Sequence, residues 1–284
     1  MSDRPRPPRL VIFDLDGVVY RGEEPVAGAA ELIAALRRRG VAVRFATNNS
    51  MATRTAYVER LAGHGVVVAA DEIVTSTSAT IDHLRAHLPD VQSVLAVGAA
   101  GLLAELRDAG YEATAAADGA PATWSGGPLP ARYDAVVAGL DPDFDFRRLG
   151  IAATAIRAGA RFIATNADRR YPTPDGFVPG AGSMVAAIAA ASDAEPLVIG
   201  KPQPAMFAAI MERAGVPAED TIAIGDNPDA DVVAARRAGV RAILVLTGIA
   251  DAAAADALEG ERRPDWVARG PAEVAALLGI AVDD

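Results

Sequence analysis

Short apolar runs alternate with segments of helical spacing along most of the chain. Residues 10–13 are all apolar and the run stops at Asp14, which is typical of a buried strand. Residues 29–39 carry apolar side chains at helical spacing and are followed by Gly40, a common helix stop. Strand alternating with helix in this way predicts an α/β protein whose parallel strands are joined by crossovers.

The same patterns predict the remaining elements. Further strands are predicted at residues 41–46, 66–68, 73–74, 94–97, 135–138, 161–164, 197–199, 221–224 and 242–246. Further helices are predicted at residues 53–62, 79–88, 101–109, 149–157, 183–191, 207–214, 231–238 and 252–257. Two stretches are predicted to lack regular helix: 115–130, a loop or weak strand, and 166–182, a long loop rich in Pro and Gly.

Charge and cysteine content narrow the classes of function. The chain of 284 residues has a formal net charge of −10, which argues against a broad nucleic-acid surface and against docking on anionic lipid. It has no cysteine, which excludes disulfides, thiolate metal sites and cysteine nucleophiles. The start, MSDRPRPPRL, is basic and Pro-rich, and too few apolar residues follow it for a signal-peptide core. We therefore expect a soluble, cytoplasmic protein that binds neither nucleic acid nor membranes.

Polar side chains directly follow four of the predicted strands. In open α/β sheets the carboxyl ends of the strands are where ligands bind, so these side chains are expected to meet at one edge. They are Asp14 and Asp16 in Asp-Leu-Asp-Gly, then Thr47 with Asn48 and Asn49, then Lys201 in Gly-Lys-Pro-Gln, and then Asp226 and Asp231 in Gly-Asp-Asn-Pro-Asp-Ala-Asp. Asp14 and Asp16 point the same way in extended chain, and such a pair needs a cation or a shared proton.

This set of acids, amides, one hydroxyl and one lysine suits a particular chemistry. Mg²⁺ prefers hard oxygen ligands and is bound by one or two carboxylates together with phosphate and water. A carboxylate that stays ionised beside Mg²⁺ and a lysine can attack phosphorus, which is covalent catalysis. The pattern therefore favours phosphoryl transfer with Mg²⁺ as the cofactor.

The four motifs, in this order, resemble those of the haloacid dehalogenase (HAD) superfamily, and the resemblance covers nearly the whole chain. The middle of the chain is similar to subfamily IIA, which includes NagD-like, 4-nitrophenylphosphatase-like and phosphoglycolate or pyridoxal phosphate phosphatases. The segments that carry this second resemblance are 164–168, 179–183 and 200–202. The resemblance implies a Rossmann-like core with a parallel sheet and an inserted α/β cap domain of type 2.

The insertion is expected between Thr47 and Lys201, because that stretch is far longer than one βα unit of the core requires. We expect residues 1–88 and 181–284 to form the HAD-like catalytic core, and residues 89–180 to form the cap that decides substrate specificity. Within the cap, Tyr171 is expected to contact the leaving group of the substrate, because a loop braced by prolines limits where its ring can point. Arg169 and Arg170 precede it, and two interpretations of them stay open: that they contact the substrate, or that they are solvent-exposed side chains of the loop.

The resemblance also implies a role for each site residue. Asp14 is expected to be the nucleophile that forms an aspartyl-phosphate, and Asp16 to act first as general acid and then as general base. The metal ligands are expected to be the side chains of Asp14 and Asp226 and the backbone carbonyl of Asp16, with Asp231 supporting them. Phosphoryl binding is expected from Thr47, Asn48, Asn49 and Lys201.

The leading hypothesis is a Mg²⁺-dependent phosphatase that hydrolyses a small phosphorylated metabolite, with broad specificity or a preference for sugar or glycerol phosphates. A phospho-acceptor signalling domain also combines strand-end acids with Thr or Ser and Lys. Such domains are much shorter, however, and their phosphorylated Asp lies on a later strand than the acidic pair. Asp16 also favours turnover, because an acid that activates water shortens the life of the phospho-enzyme. A metabolite-binding relative without turnover is a third hypothesis, although no catalytic position is missing. The physiological ester and the oligomeric state stay open, with a homodimer as one option.

Overall fold

The computed structural model describes residues 5–173 and 176–281. Its strands are β1 Leu10–Phe13, β2 Tyr20–Arg21, β3 Glu24–Pro25, β4 Ala42–Thr47, β5 Ile73–Thr75, β6 Ser93–Val97, β7 Glu112–Ala115, β8 Ala135–Ala138, β9 Arg161–Ala164, β10 Arg170–Thr173, β11 Gly176–Pro179, β12 Leu197–Val198, β13 Thr221–Gly225, β14 Arg241–Val245 and β15 Trp266–Ala268. Its helices are α1 Ala29–Arg38, α2 Arg54–Gly63, α3 Ser76–His87, α4 Ala100–Asp108, α5 Phe146–Arg157, α6 Ala181–Ser192, α7 Ala205–Ala214, α8 Val233–Arg237, α9 Ala252–Asp256 and α10 Pro271–Leu278.

The chain forms two compact units. The first, here called the core unit, consists of Met1–Thr47, Arg54–Val74 and Lys201–Asp284, and the second, here called the inserted unit, consists of Asn48–Thr53 and Thr75–Gly200. These limits differ from the predicted division at residues 88 and 180. The difference arises because α3 packs on α4 and α6 packs on α5, so both helices belong to the inserted unit.

The core unit is built on a six-stranded sheet in the order β15-β14-β13-β1-β4-β5. The apolar run of β1 is fully buried and lies in the middle, parallel to β4 on one side and to β13 on the other. Helix α7 packs on β1 and β4, and α1 contacts both β4 and α10. The predicted α/β class with parallel strands is thereby confirmed, and the carboxyl ends of β1, β4 and β13 lie at one edge.

The inserted unit has its own parallel sheet, in the order β12-β9-β8-β6-β7. Its core contains the buried side chains of Leu95, Val136, Ile151, Phe162 and Ile188, which come from strands β6, β8 and β9 and helices α5 and α6. Strands β10 and β11 form a separate antiparallel hairpin.

Several predictions about individual elements were wrong. Residues 66–68 form no strand, since the chain runs from them into a short 3₁₀ turn at Ala70–Glu72 and leaves Val67 mostly exposed. The predicted long loop at 166–182 contains the hairpin β10-β11 and the start of α6; its residues 174 and 175 lie outside the described residues. The predicted strand before Lys201 exists as β12, but it pairs with β9 in the inserted unit instead of joining the core sheet.

Across residues 5–173 and 176–281, no helix combines the length and the apolar character that crossing a membrane requires.

Candidate active site

The core of the site forms where β1 and β13 end side by side. Phe13 pairs with Ile224 across these strands, and the backbone N–H of Asp14 donates to the carbonyl of Ile224 at 2.9 Å. Asp14 and Asp226 therefore leave the sheet at the same edge. Carboxylate oxygens of Asp14, Asp226 and Asp231 all lie within 4.8 Å of one another.

Lys201 is the cation that faces this group of acids. Its Nζ donates to Oδ1 of Asp14 at 2.7 Å, to Oδ1 of Asp231 at 2.6 Å and to the carbonyl of Ala46 at 3.1 Å. Only 2% of the residue is exposed, so all three ammonium protons have protein acceptors in a buried setting. Burial alone would lower the pKa of Lys201, but Asp14 and Asp231 raise it above its ordinary value, and the side chain stays charged.

The pKa values of Asp14 and Asp226 are shifted toward the neutral form. Burial raises the pKa of Asp14 well above its ordinary value; Lys201 opposes this shift, while the charges of Asp231 and Asp226 add to it. Burial and the charge of Asp231 raise the pKa of Asp226 to about 7. Three crowded carboxylates with one ammonium retain an excess of negative charge, which a divalent cation would balance.

The carboxylate of Asp226 lies against two glycine backbones. A Cβ atom on Gly17, whose φ is +78°, would lie 2.3 Å from Oδ2 of Asp226, and one on Gly248 would lie 1.9 Å from the same atom. The backbone N–H of Ile249 donates to that oxygen at 2.7 Å. Any larger residue at position 17 or 248 would displace Asp226.

A turn after β13 returns Asp231 to the site. The side chain of Asn227 accepts hydrogen bonds from the backbone N–H groups of Asp229 and Ala230, at 3.0 and 3.3 Å, and so caps a single π-helical turn at Pro228–Val232. Oδ2 of Asp231 accepts the N–H of Asn227 at 3.0 Å, while Oδ1 binds Lys201. Since both oxygens of Asp231 have protein partners, Asp14 and Asp226 are the better placed side chains for a metal.

The donor set fits Mg²⁺. Asp14 and Asp226 offer carboxylate oxygens that lie within 4.8 Å of one another, and one or two carboxylates of this kind are the protein ligands that Mg²⁺ prefers. In residues 5–173 and 176–281 no other group of three or more acidic or histidine side chains has comparable spacing.

Asp16 lies on the tight loop that follows Asp14. It forms an isolated backbone bridge with Tyr20, and the N–H of Gly17 donates to the carbonyl of Tyr20 at 2.7 Å. Burial raises the pKa of Asp16 to about 6, against the opposing charges of Arg60 and Lys201. The chain thus turns sharply after Asp16 and keeps this carboxyl group partly buried.

The predicted phosphoryl-binding residues are divided between the two units. Thr47 is the last residue of β4, is buried, and belongs with Lys201 to the core unit, whereas Asn48 and Asn49 belong to the inserted unit. Within the inserted unit, Nδ2 of Asn48 donates to Oδ2 of Asp168 at 2.9 Å. The backbone carbonyl of Asn48 accepts from Ser76 and from Asn166, each at 2.7 Å.

Tyr171 is held by Asn49. Nδ2 of Asn49 donates to the hydroxyl of Tyr171 at 3.4 Å, and Oδ1 of Asn49 accepts the N–H of Met51 at 2.9 Å. The ring of Tyr171 packs on Leu140, Ala181 and Met184. Two residues that were each predicted for the site, Asn49 and Tyr171, are therefore in contact. Binding of a phosphoryl oxygen by Asn49 stays a prediction.

Two parts of the core site were missed from the sequence. The segment Thr247–Ile249 follows β14 and contacts both Gly17 and Asp226. A Thr-Gly pair directly after a predicted strand was the available signal. Arg60 lies in the last turn of α2, and nothing in the neighbouring sequence indicates that its charge lowers the pKa of Asp16.

Comparison with known proteins identifies the family. The model of haloacid dehalogenase-like hydrolases matches residues 11–112, and a second model, of HAD-hydrolase-like proteins, matches residues 198–274. The human glycerol-3-phosphate phosphatase is 34% identical over 256 residues, which cover 84% of this chain and 79% of that protein. The chain belongs to the haloacid dehalogenase-like hydrolases, in subfamily IIA.

Solved structures of this HAD group agree with the fold. The 4-nitrophenylphosphatase of Thermotoga maritima is 31% identical, with a TM-score of 0.84 and coverage of 97% of each chain. The glycerol phosphate phosphatase of Mycobacterium tuberculosis, solved in complex with magnesium, is 31% identical with a TM-score of 0.82, covering 95% of this chain and 78% of that one. The predicted Rossmann-like HAD core is confirmed, and so is the enzyme class, a phosphoric monoester hydrolase.

Proposed function

We propose that this HAD-type phosphatase hydrolyses a small phosphomonoester through an aspartyl-phosphate on Asp14, with Mg²⁺ as cofactor. The observation that carries the proposal is the contact of Lys201 with both Asp14 and Asp231 beside the carboxylate of Asp226. A buried ammonium favours an ionised, nucleophilic Asp14 and neutralises charge on an incoming phosphoryl group.

In the first step, a carboxylate oxygen of Asp14 attacks phosphorus and the bond from phosphorus to the ester oxygen breaks. Asp16 gives its proton to the departing oxygen, so the alcohol leaves neutral and Asp16 becomes a carboxylate. The position of Asp16 two residues after the nucleophile, on a tight and partly buried loop, supports this role.

In the second step, the carboxylate of Asp16 takes a proton from water, and the water oxygen attacks phosphorus. The bond from phosphorus to Asp14 breaks, which releases inorganic phosphate and restores Asp14 as a carboxylate. Asp16 again carries its proton, so both groups return to their starting state.

Mg²⁺ would be held by the side chains of Asp14 and Asp226 and by the backbone carbonyl of Asp16. When bound, it supplies positive charge to the phosphoryl oxygens. Asp231 supports this arrangement by fixing Lys201 with one oxygen and the turn at Asn227 with the other.

For the substrate, we favour a sugar or glycerol phosphate, bound at its phosphoryl group by Thr47, Asn48, Asn49 and Lys201. Two relatives named above act on glycerol phosphates, which supports this class. Residues 89–180 would decide specificity, with Tyr171 contacting the leaving group. A cytoplasmic location, and a homodimer as one oligomeric option, stay predictions.

The test is release of inorganic phosphate by the purified protein with Mg²⁺. 4-Nitrophenyl phosphate is assayed beside phosphorylated sugars, glycerol phosphates, nucleotides, phosphoglycolate and pyridoxal phosphate. Many turnovers per chain on at least one metabolite are expected. Stoichiometric labelling without turnover would favour a phospho-acceptor domain, and binding without phosphate release would favour a metabolite-binding relative.

A further inference from the structure

Arg60 of α2 holds the hairpin formed by β2 and β3. Its guanidinium carbon lies 4.3 Å from the centroid of the Tyr20 ring, a distance typical of a cation–π contact. Its Nη2 donates to the carbonyl of Gly22 and, at 3.0 Å, to Oε1 of Glu23. One side chain thus contacts three residues of the hairpin.

The hairpin is continuous with the loop that carries Asp16. Tyr20, the first residue of β2, is fully buried; its carbonyl accepts the N–H of Gly17 and its backbone bridges to Asp16. The N–H of Val26 closes the other end by donating to the carbonyl of Val19 at 2.9 Å. A displacement of Tyr20 would therefore be passed to Asp16 through the backbone.

The contacts of Arg60 differ from those of a surface ion pair. Glu23 is 92% exposed on its side chain, so that salt bridge adds little stability. Within the described part of the chain, the Nε of Arg60, the hydroxyl of Tyr20 and Nε2 of His64 are buried without hydrogen-bond partners. The hairpin is therefore held by the contact of the guanidinium with the Tyr20 ring and by its hydrogen bond to the carbonyl of Gly22.

We infer that Arg60 is a positioning residue that holds the β2-β3 hairpin, and through it Asp16, in the place from which Asp16 serves the leaving oxygen. This inference rests on the proposed function. Arg60 touches neither Asp14 nor Lys201 in any contact described above, so it acts through Tyr20 and the hairpin.

The experiment compares two esters that differ in their need for an acid. The alkoxide of an alkyl phosphate is a poor leaving group and requires the proton of Asp16, whereas 4-nitrophenolate leaves without one. The parameter kcat/KM reports steps up to formation of the phospho-enzyme. It is measured for Arg60→Met and Arg60→Lys on 4-nitrophenyl phosphate and on the alkyl phosphate that the wild type hydrolyses fastest.

Arg37→Met is the matched control. Arg37 also lies in a helix, α1, has a side chain of similar exposure (31% against 27%), and binds a backbone carbonyl and a glutamate, Val67 and Glu72. The contacts described for Arg37 include neither the β2-β3 hairpin nor Asp16. Hydrogen exchange of residues 17–26 is measured in all variants as a readout that does not depend on activity.

Arg60→Met should lower kcat/KM on the alkyl ester about tenfold more than on 4-nitrophenyl phosphate, a fraction of what a general acid contributes. Hydrogen exchange of residues 17–26 should become faster. Arg60→Lys should keep kcat/KM and the hydrogen exchange of residues 17–26 close to their wild-type values, since it keeps a positive charge over the Tyr20 ring. Arg37→Met should change neither.

Equal losses on the two esters, or unchanged exchange of residues 17–26 in Arg60→Met, would overturn the inference. So would the same pattern in Arg37→Met, because it would assign the effect to general loss of stability. A wild type that releases no phosphate from any ester would instead overturn the proposed function, and the inference with it.

Discussion

Lys201 and Asp14 are 187 residues apart in the chain, and their Nζ and Oδ1 atoms lie 2.7 Å apart. The contact joins the beginning of the core unit to its last segment, which starts at Lys201 itself. Because Lys201 is buried and also binds Asp231 and Ala46, its position does not depend on Asp14 alone. Substitutions of Asp14 can therefore test chemistry without removing every partner of the lysine.

Asp14→Asn should abolish phosphatase activity, with kcat lower by at least about a thousandfold. The amide has nearly the shape of the carboxylate but is a poor nucleophile and a poor metal ligand. The melting temperature should change little, since the variant also removes one of three crowded acids. Steady turnover of 4-nitrophenyl phosphate by a variant free of contaminating phosphatase would contradict the nucleophile assignment.

Removal of divalent metal should stop the reaction. Dialysis against EDTA is expected to abolish phosphate release, and added Mg²⁺ should restore it. Ca²⁺ should substitute poorly, because it prefers more ligands and longer distances than Mg²⁺. The measurement is phosphate release against metal concentration, with Asp226→Asn as a variant that should need more Mg²⁺. Full activity in metal-free buffer would argue against the proposed mechanism.

Asp16→Asn should slow both chemical steps, because one carboxyl group serves as acid and then as base. Rapid-quench measurement of phospho-enzyme formation should show a smaller loss for 4-nitrophenyl phosphate than for an alkyl ester, since nitrophenolate needs no proton. Equal losses for the two esters in that step would contradict the acid role of Asp16.

The acids of the core site could be predicted because their placement is local. Asp14 and Asp226 each follow a fully buried strand, and the residue after a buried parallel strand lies at the ligand-binding edge of the sheet whatever the rest of the chain does. The parallel α/β class followed from the same runs. Local pattern was sufficient wherever a residue's position depends only on its own strand.

Other features depend on contacts distant in sequence and could not be predicted in this way. The sheet to which β12 belongs is one such feature. The apolar run before Lys201 predicts a strand, but only its pairing with β9 shows that this strand lies outside the core sheet. The hairpin β10-β11 has prolines at positions that argue against a strand, yet it pairs from Arg170 to Pro179. Arg60 is one of 27 Lys and Arg residues, and only the fold brings its guanidinium over Tyr20.

The inserted unit should depend on a partly buried ion pair. Nη1 of Arg148 lies 2.6 Å from Oδ1 of Asp141, which is 3% exposed. Arg148→Met would leave that carboxylate buried without its cation, at a cost of about 3 kcal/mol, the lower end for a buried pair because the Arg148 side chain is partly exposed. The urea midpoint of unfolding should fall accordingly. Arg161→Met, which breaks the exposed pair with Asp90, should leave the midpoint unchanged; equal shifts in both variants would contradict the argument.

The choice of substrate should depend on Tyr171. If its ring contacts the leaving group, Tyr171→Ala should lower kcat/KM for the preferred metabolite about tenfold or more, and lower it far less for 4-nitrophenyl phosphate. Tyr171→Phe separates the ring from the hydroxyl, which accepts the hydrogen bond from Asn49. A loss in Tyr171→Ala that Tyr171→Phe does not share would assign selection to the ring.

Asn49→Ala provides the control for Tyr171, because it removes the amide that holds the hydroxyl and leaves the ring on Leu140, Ala181 and Met184. If Asn49 acts through Tyr171, its variant should match Tyr171→Phe in the ratio of kcat/KM between metabolite and 4-nitrophenyl phosphate. If Asn49 binds a phosphoryl oxygen instead, both substrates should lose activity together. Parallel losses on both substrates in Tyr171→Ala would give the hairpin β10-β11 a structural role, and specificity would then have to come from other residues of the inserted unit.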